Sequence, residues 1–436
     1  MSALSRVSAL IPAFALAVSV GAQTPPQAPP TFTLQDALAR ARQYGTQIQS
    51  ANLNAALARE DRAQAKAATL PSLNAFNQFI YTEGNGTPSG VFVANDGVHV
   101  YNEQAQVHQE LLSLVRRGEI RRAMAAEAVA KAKAEVALRG LNATVIQDYY
   151  AIVSAQRKFA NAQTSLREAD QFLDITQKQE KGGEVAHADV IKAHITQQQR
   201  QRDLQDADLS IEKARIALGV LIFPDFRSDY AVEDDLQQRS NVLPPFPEAR
   251  AKATATSPDL RAAQATIEQS GYDINVAHYA YLPSLGLDFF YGIDANQFAV
   301  HNDVPYRQNL GYSAQVTLNI PVWNWGATRS KIKQAELRQQ QAELDLTLAQ
   351  RTLQGNLASA YREAQTAQAQ VDSLRSSSDL SAESLRLTLL RYQAGEANAL
   401  EVVDAQTTLA QARNAYDDGL VRYRVAIANL QTLTGN

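Results

Sequence analysis

The stretch Tyr392-Gln393-Ala394-Gly395-Glu396-Ala397-Asn398-Ala399-Leu400-Glu401-Val402-Val403-Asp404 decides the fold. It is a glycine turn between two long helical patterns: one helix runs out to it and another runs back. The same arrangement occurs earlier, at Lys178-Gln179-Glu180-Lys181-Gly182-Gly183-Glu184-Val185-Ala186-His187-Ala188-Asp189. Gly183 and Gly395 lie 212 positions apart. The chain therefore reads as two copies of one hairpin plan.

Outward from the second turn the pattern has a strict period. Val402, Leu409, Tyr416, Tyr423 and Leu430 recur every seven residues, with Ala405, Ala412, Gly419, Ala426 and Leu433 three residues on. On the other side Leu346, Leu353, Ala360, Ala367 and Leu374 do the same, and Val190, Leu204, Ile211 and Leu218 match in the first copy. A seven-residue period imposes a left-handed supercoil, and small residues at the second position let helices approach closely. Gly118 to Lys181 holds no proline, and a helix of that length spans roughly 95 Å. A helix so long needs a bundled setting.

Between the helices the period changes to two. Leu285, Leu287, Phe289, Tyr291 and Ile293 alternate with Gly286, Asp288, Gly292 and Asp294, with Phe290 the exception on the polar side. Leu310, Tyr312, Ala314, Val316 and Leu318 alternate with Gly311, Ser313, Gln315, Thr317 and Asn319. Val100 to Leu111 places Asn102, Gln104, Gln106, His108 and Glu110 on one face. Strands are expected at 284–294, 309–320, 100–111 and, from weaker alternation, 72–82. Runs of 9–12 residues match what a tilted strand needs to cross a bilayer. Leu70-Pro71-Ser72-Leu73 and Leu282-Pro283-Ser284-Leu285, again 212 apart, stop the helices before the strands, because proline cannot continue a helix. Helices are expected over 32–69 and 248–281, with a turn-rich loop at 83–98. Trp323 and Trp325, both tryptophans of the chain, follow the last strand, where a membrane-interface girdle of aromatics is expected.

The expected organisation is a signal peptide at 1–22, a Pro-rich linker at 23–31, a first repeat at 32–222 with its tip turn at 181–185, an irregular acidic connector at 223–247, and a second repeat at 248–436 with its tip turn at 393–398. Arg6 followed by the apolar stretch Val7–Val20 and Val20-Gly21-Ala22 gives the export signal. No later run is apolar enough for a membrane helix, so a membrane position requires a β-barrel. Four strands cannot close one, and an open edge cannot face lipid. The chain must then oligomerise, and two, three or four copies would give eight, twelve or sixteen strands.

Composition narrows the function. The 436 residues carry a net charge of −4 and no basic patch, which disfavours nucleic acid. No cysteine is present, which removes disulfides, thiolate metal sites and cysteine nucleophiles. The six histidines form no HExxH pair; His187 and His194, seven apart on one helix, read as surface residues. No nucleophile elbow or phosphate loop occurs. No catalytic activity and no cofactor are expected.

An exported chain with duplicated halves, LPSL at each helix-to-strand junction, the exit Pro321-Val322-Trp323-Asn324-Trp325-Gly326, and Tyr-x-x-Gly leading into Glu401-Val402-Val403-Asp404-Ala405 resembles the TolC-type outer-membrane efflux proteins from about Phe32 to Gly435. The resemblance implies a mostly α fold with a β-barrel part, built as a homotrimer: a twelve-stranded barrel in outer-membrane lipid and a periplasmic α-helical coiled-coil tunnel. It implies a passive exit duct for a tripartite efflux or type I secretion system, working with a periplasmic adaptor (membrane fusion) protein and an inner-membrane pump of RND or ABC type. On the matching positions, Glu401 and Asp404 would ring the closed periplasmic end, Tyr392 and Asp189 would latch neighbouring helices, and Gly182, Gly183, Glu184, Gly395 and Glu396 would form the tip turns an adaptor recognises. Ala397 departs from the family pattern, which has an arginine there. The rival reading is a structural coiled-coil protein of the periplasm with no barrel.

Overall fold

A computed structural model describes residues 30–81, 99–225, 227, 229–236, 243–301, 305 and 308–435. The signal segment, nearly all of the linker and the loop at 83–98 lie outside these residues. The described elements, in order, are β1 (Thr31–Phe32), α1 (Leu34–Tyr44), α2 (Thr46–Ala67), β2 (Ser72–Tyr81), β3 (His99–Leu112), α3 (Leu114–Lys181), α4 (His187–Ile222), β4 (Ala231–Val232), α5 (Phe246–Thr256), α6 (Pro258–Tyr279), β5 (Ser284–Ala295), β6 (Leu310–Asn319), α7 (Ala327–Gln393) and α8 (Ala399–Thr434). Thr46 and Pro258, Ser72 and Ser284, and His187 and Ala399 each open corresponding elements 212 positions apart.

Two expected helices are each two. The first breaks at Gly45 and the second at Ser257, both with an extended backbone (φ −62°, ψ 116° and φ −64°, ψ 118°). At Gly45 a Cβ would meet the Ala41 backbone carbonyl at 2.5 Å, with a Leu141 methyl of α3 at 2.9 Å, so a side chain there would press first on the end of α1. Ser257 caps α6 by accepting from the Leu260 N–H, and Pro258 at the first helical position needs no N–H partner. The connector and linker are also more ordered than expected. Thr31 and Phe32 pair in parallel with Ala231 and Val232, and α5 begins inside the expected connector, at Phe246.

The four long strands form one antiparallel sheet in the order β2-β3-β5-β6. Its register settles the faces. Leu73 pairs with Val107, Val107 with Phe289, and Phe289 with Ala314, so one face is largely apolar, interrupted by the Asn77–Glu103 pair and by Gln109. Gln106 pairs with Phe290 and Phe290 with Ser313, which puts the amides and hydroxyls together on the other. On that face the His108 Nδ1 lies 2.7 Å from the Asp288 Oδ1. β2, which alternates poorly in sequence, contributes Leu73, Ala75, Phe79 and Tyr81 to the apolar band, with Phe76 and Ile80 on the polar side. The outer edges of β2 and β6 pair with no described strand.

The long helices α3 and α7, of 68 and 67 residues, leave the same end of the sheet. Near the sheet α2 and α6 pack beside them; toward the tips α4 and α8 do. The main core sits where these two levels meet. Leu141, Val145, Tyr149, Ile152 and Val153 of α3 pack there against Ala37 and Ala41 of α1, Leu218 and Ile222 of α4, and Tyr230 of the connector. The Tyr149 hydroxyl donates to the carbonyl oxygens of Glu233 (2.8 Å) and Phe32 (3.3 Å). In the second copy the Tyr361 hydroxyl donates to the Pro244 carbonyl at 3.0 Å. Both the tyrosine and the Phe32/Pro244 acceptor are 212 positions from their counterparts, so one hydrogen bond is repeated in each half, buried in the first and exposed in the second.

Candidate functional site

Both tips are closed by one backbone device. Gly183 and Gly395 take left-handed conformations, φ +78° and +76°. The Glu184 N–H donates to the Gln179 carbonyl (2.9 Å) and the Gly183 N–H to that of Glu180 (2.9 Å). In the second tip Glu396 donates to Arg391 (2.8 Å) and Gly395 to Tyr392 (3.0 Å). These 6→1 and 5→2 pairs satisfy the last carbonyls of a helix, and the positive φ selects glycine.

The helices leaving the turns are capped differently. Asn398 and Glu401 form a reciprocal capping box: the Asn398 side chain accepts from the Glu401 N–H (3.0 Å), and the Glu401 carboxylate accepts from the Asn398 N–H (3.3 Å). Glu401 also meets the Arg391 guanidinium at 3.4 Å, and Arg391 donates to the Glu396 carbonyl at 3.2 Å. Arg391 thus brings a cation to the tip whose turn has alanine at 397. At the first tip the cap position is Ala186, with no side-chain bond. There His187 and Glu180 pair at 2.6 Å.

Of the four expected gate residues, Glu401 and Asp404 share one helical face. They line a hollow of about 410 Å³ between α7 and α8 with Ser381, Ser384 and Thr388. Tyr392 is only 2% exposed. Its ring packs edge-on against Phe172 of α3, centroids 5.2 Å apart, and its hydroxyl donates to the Thr176 hydroxyl at 3.4 Å. Burial raises the Tyr392 pKa; the Thr176 hydrogen bond opposes this, and the Asp189 charge adds to it. The described hydrogen-bond partner of Tyr392 is therefore Thr176, with Asp189 acting through its charge. Val402, Leu409, Leu385 and Ala193 complete the apolar cluster around Tyr392.

Farther up, the same seam between the two hairpins is polar. Gln406 donates to the Glu168 carbonyl (3.1 Å), and Arg413 meets the Glu168 carboxylate (3.0 Å). Arg157 joins Asp417 of α8 (2.9 Å) to Asp234 of the connector (2.6 Å). Sequence reasoning missed Phe172, Thr176, Arg391 and Arg157. Only Arg391, one residue before Tyr392, lay next to a stretch already singled out. At the sheet end of the helices, Trp323 and Trp325 are 75% and 90% exposed, with ring centroids 5.9 Å apart. Among the described residues no three His, Asp or Glu side chains converge into a metal-binding group, and no described helix is long and apolar enough to cross a membrane.

The molecule thus joins a four-stranded sheet with one largely apolar face to two helices each about 100 Å long. Residues 249–436 match the family model described as outer membrane efflux protein. The cobalt-zinc-cadmium resistance protein CzcC of Cupriavidus metallidurans is 26% identical over 63% of this chain and 63% of its own length. Outer membrane protein OprJ of Pseudomonas aeruginosa is 24% identical over 68% of this chain and 61% of its own. The chain thus spans less than two thirds of either relative. The fold is that of the Campylobacter jejuni CmeC outer membrane channel: TM-score 0.80 at 16% identity, covering 92% of this chain and 85% of that one. Residues 249–436 thus carry the outer membrane efflux protein pattern, and the described chain has the fold of such channels.

Proposed function

We propose that the chain forms the outer-membrane exit duct of a tripartite efflux or type I secretion system. It conducts cargo passively from a periplasmic adaptor and an inner-membrane pump to the exterior, with no catalysis and no cofactor. The observation that carries this reading is the sheet: largely apolar on one face, polar on the other, and open at both edges among the described residues. An edge facing lipid would leave backbone groups unsatisfied. β2 and β6 run antiparallel to each other, so β6 of one copy can pair with β2 of the next. Three copies then close a twelve-stranded barrel with the polar face inward, and the exposed Trp323 and Trp325 lie at the periplasmic interface. The pump would set the cargo.

At the far end, three copies of Glu401 and Asp404 would ring the tunnel mouth and favour cations, with Tyr392 and Asp189 at the seam between hairpins. Gly182, Gly183, Glu184, Gly395 and Glu396 would meet the adaptor. Fractionation and cross-linking test the duct: recovery in detergent extracts of outer membrane as a trimer is expected, and recovery as a soluble periplasmic protein would overturn it in favour of the coiled-coil alternative. Planar bilayers test the ring. Glu401→Ala with Asp404→Ala should raise conductance or weaken cation preference; unchanged values remove the ring.

A further inference from the structure

The polar face of the sheet holds a feature that conduction alone does not require. Phe76 of β2 and Phe290 of β5 both lie on it, among amides. Phe76 pairs with Gln104, Phe290 pairs with Gln106, and the two glutamines, two residues apart on β3, face the same side. The phenylalanines therefore flank one spot from neighbouring rows. Between them is a hollow of about 330 Å³, which Asn102, Asp294 and Ser313 also line. Gly311, two residues before Ser313 on the same face, leaves the space beside it open: a Cβ there would find no atom within 4 Å.

The charge at this hollow is distinctive. The polar face carries Asp288, paired with His108, and Glu110, paired with Arg116 at 3.0 Å. Asp294 pairs with no described residue. A carboxylate without a partner, beside two aromatic rings and neutral amides, offers an anion and π faces together. Ring faces attract cations through their quadrupole, and the apolar ring body of a ligand gains by covering the phenyl groups.

We propose that this hollow is a binding subsite for a small aromatic organic cation on the wall of the barrel lumen. The proposal rests on the duct reading, which makes the polar face the lumen. The cationic head would lie at Asp294 and the ligand's ring between Phe76 and Phe290. Passing cargo of this class would be held briefly near the exit, whereas anionic or purely aliphatic solutes would meet no such station.

The test uses the full-length protein reconstituted in planar bilayers, with benzyltrimethylammonium as the probe and tetramethylammonium as its ring-free control. Benzyltrimethylammonium should produce concentration-dependent block of the ionic current, and tetramethylammonium should block much less. Asp294→Asn, which keeps the side-chain shape, and Phe76→Ala with Phe290→Ala should each weaken the block by about tenfold, the scale of one partly desolvated cation–π or charge contact. Equal block in wild type and both variants, or equal block by the two cations, would overturn the subsite. Channels that conduct normally but show no block by either cation would do the same while leaving the duct reading intact. Absence of any channel from correctly trimeric protein would sink the duct reading and the subsite together.

Discussion

The two tips of the molecule have the same backbone and different side chains. Gly183 and Gly395 have nearly the same φ, and the hydrogen bonds closing each turn match one for one. The side chains around them do not. The first tip leaves its return helix uncapped at Ala186, whereas the second caps its helix with Asn398 and Glu401 and adds Arg391. The residue 212 positions before Tyr392 is Glu180, which pairs with His187 within its own hairpin. Tyr392 instead reaches across to Phe172 and Thr176 of the other hairpin. Duplication kept the turn, which only backbone geometry specifies, and allowed the contacts to diverge. Tyr392 ties the second tip to α3, whereas Glu180 makes no described contact with the other hairpin.

That asymmetry can be broken at several points. The largest effect is expected from Tyr392→Ala. Removing a buried aromatic side chain costs about 3–5 kcal/mol, and here the loss falls on the contact between hairpins. Amide hydrogen exchange should speed up at both tips in Tyr392→Ala, whereas Glu180→Ala, its positional counterpart, should leave both nearly unchanged. Comparable exchange in the two variants would show that the seam does not depend on Tyr392.

Next come the glycines. Valine at either Gly183 or Gly395 must adopt a left-handed backbone, at about 1–2 kcal/mol. The two substitutions should loosen their own turns equally, as read by protease cleavage at each tip. Export should suffer more from Gly395→Val, because that turn also positions Tyr392, and trimers should still form. Equal export from the two variants would mean that the tips are functionally interchangeable.

Alkaline pH gives a smaller effect at one tip only. The raised Tyr392 pKa means that the folded chain keeps its phenol proton at a pH where the unfolded chain loses it. The unfolded state then binds fewer protons, so stability from this group is full below pH about 10 and falls as pH rises beyond it. Spectroscopic titration of tyrosinate should show tip loosening above that pH, absent in Tyr392→Phe. The smallest effect concerns the caps. Asn398→Ala should cost about 1 kcal/mol and Ala186→Asn should gain up to a similar amount. Together these two changes would exchange the capping pattern of the tips, and the exchange-protection order of α4 and α8 should move accordingly.

Much of this architecture was legible because it is periodic. The 212-residue offset, the seven-residue spacing and the two-residue alternation each follow from a local geometric rule, and Pro71 and Pro283 mark where one rule gives way to another. The helix breaks were signalled less strongly. Ser257-Pro258 carried a readable cue, since the residue before proline avoids helical conformation. At Gly45 the crowding is shared by the Ala41 carbonyl four residues back and by Leu141, nearly a hundred residues away, and the second of these has no local sequence signal. The candidate gate split the same way. Tyr392, Glu401 and Asp404 stood out beside a turn. Phe172 and Thr176 lie inside a 68-residue helix, where nothing local separates a residue facing another hairpin from one facing solvent. The capping role of Glu401 was visible in principle as Asn398 followed three residues later by glutamate, but the acidic ring had drawn the residue into another reading.

The unpaired edges of β2 and β6 also have a kinetic consequence. A lone protomer is a folded helical body carrying an unfinished sheet, and an open edge in water recruits any strand it meets. In the proposed trimer, closure requires encounters between copies, so its rate depends on concentration, whereas the helical hairpins fold within one chain. A dilute protomer would linger with its edges exposed, and a crowded one risks pairing out of register. On the proposed assembly, the interval between helix formation and ring closure is when the chain is most exposed to aggregation, and its apparent stability would vary with how much of it is present.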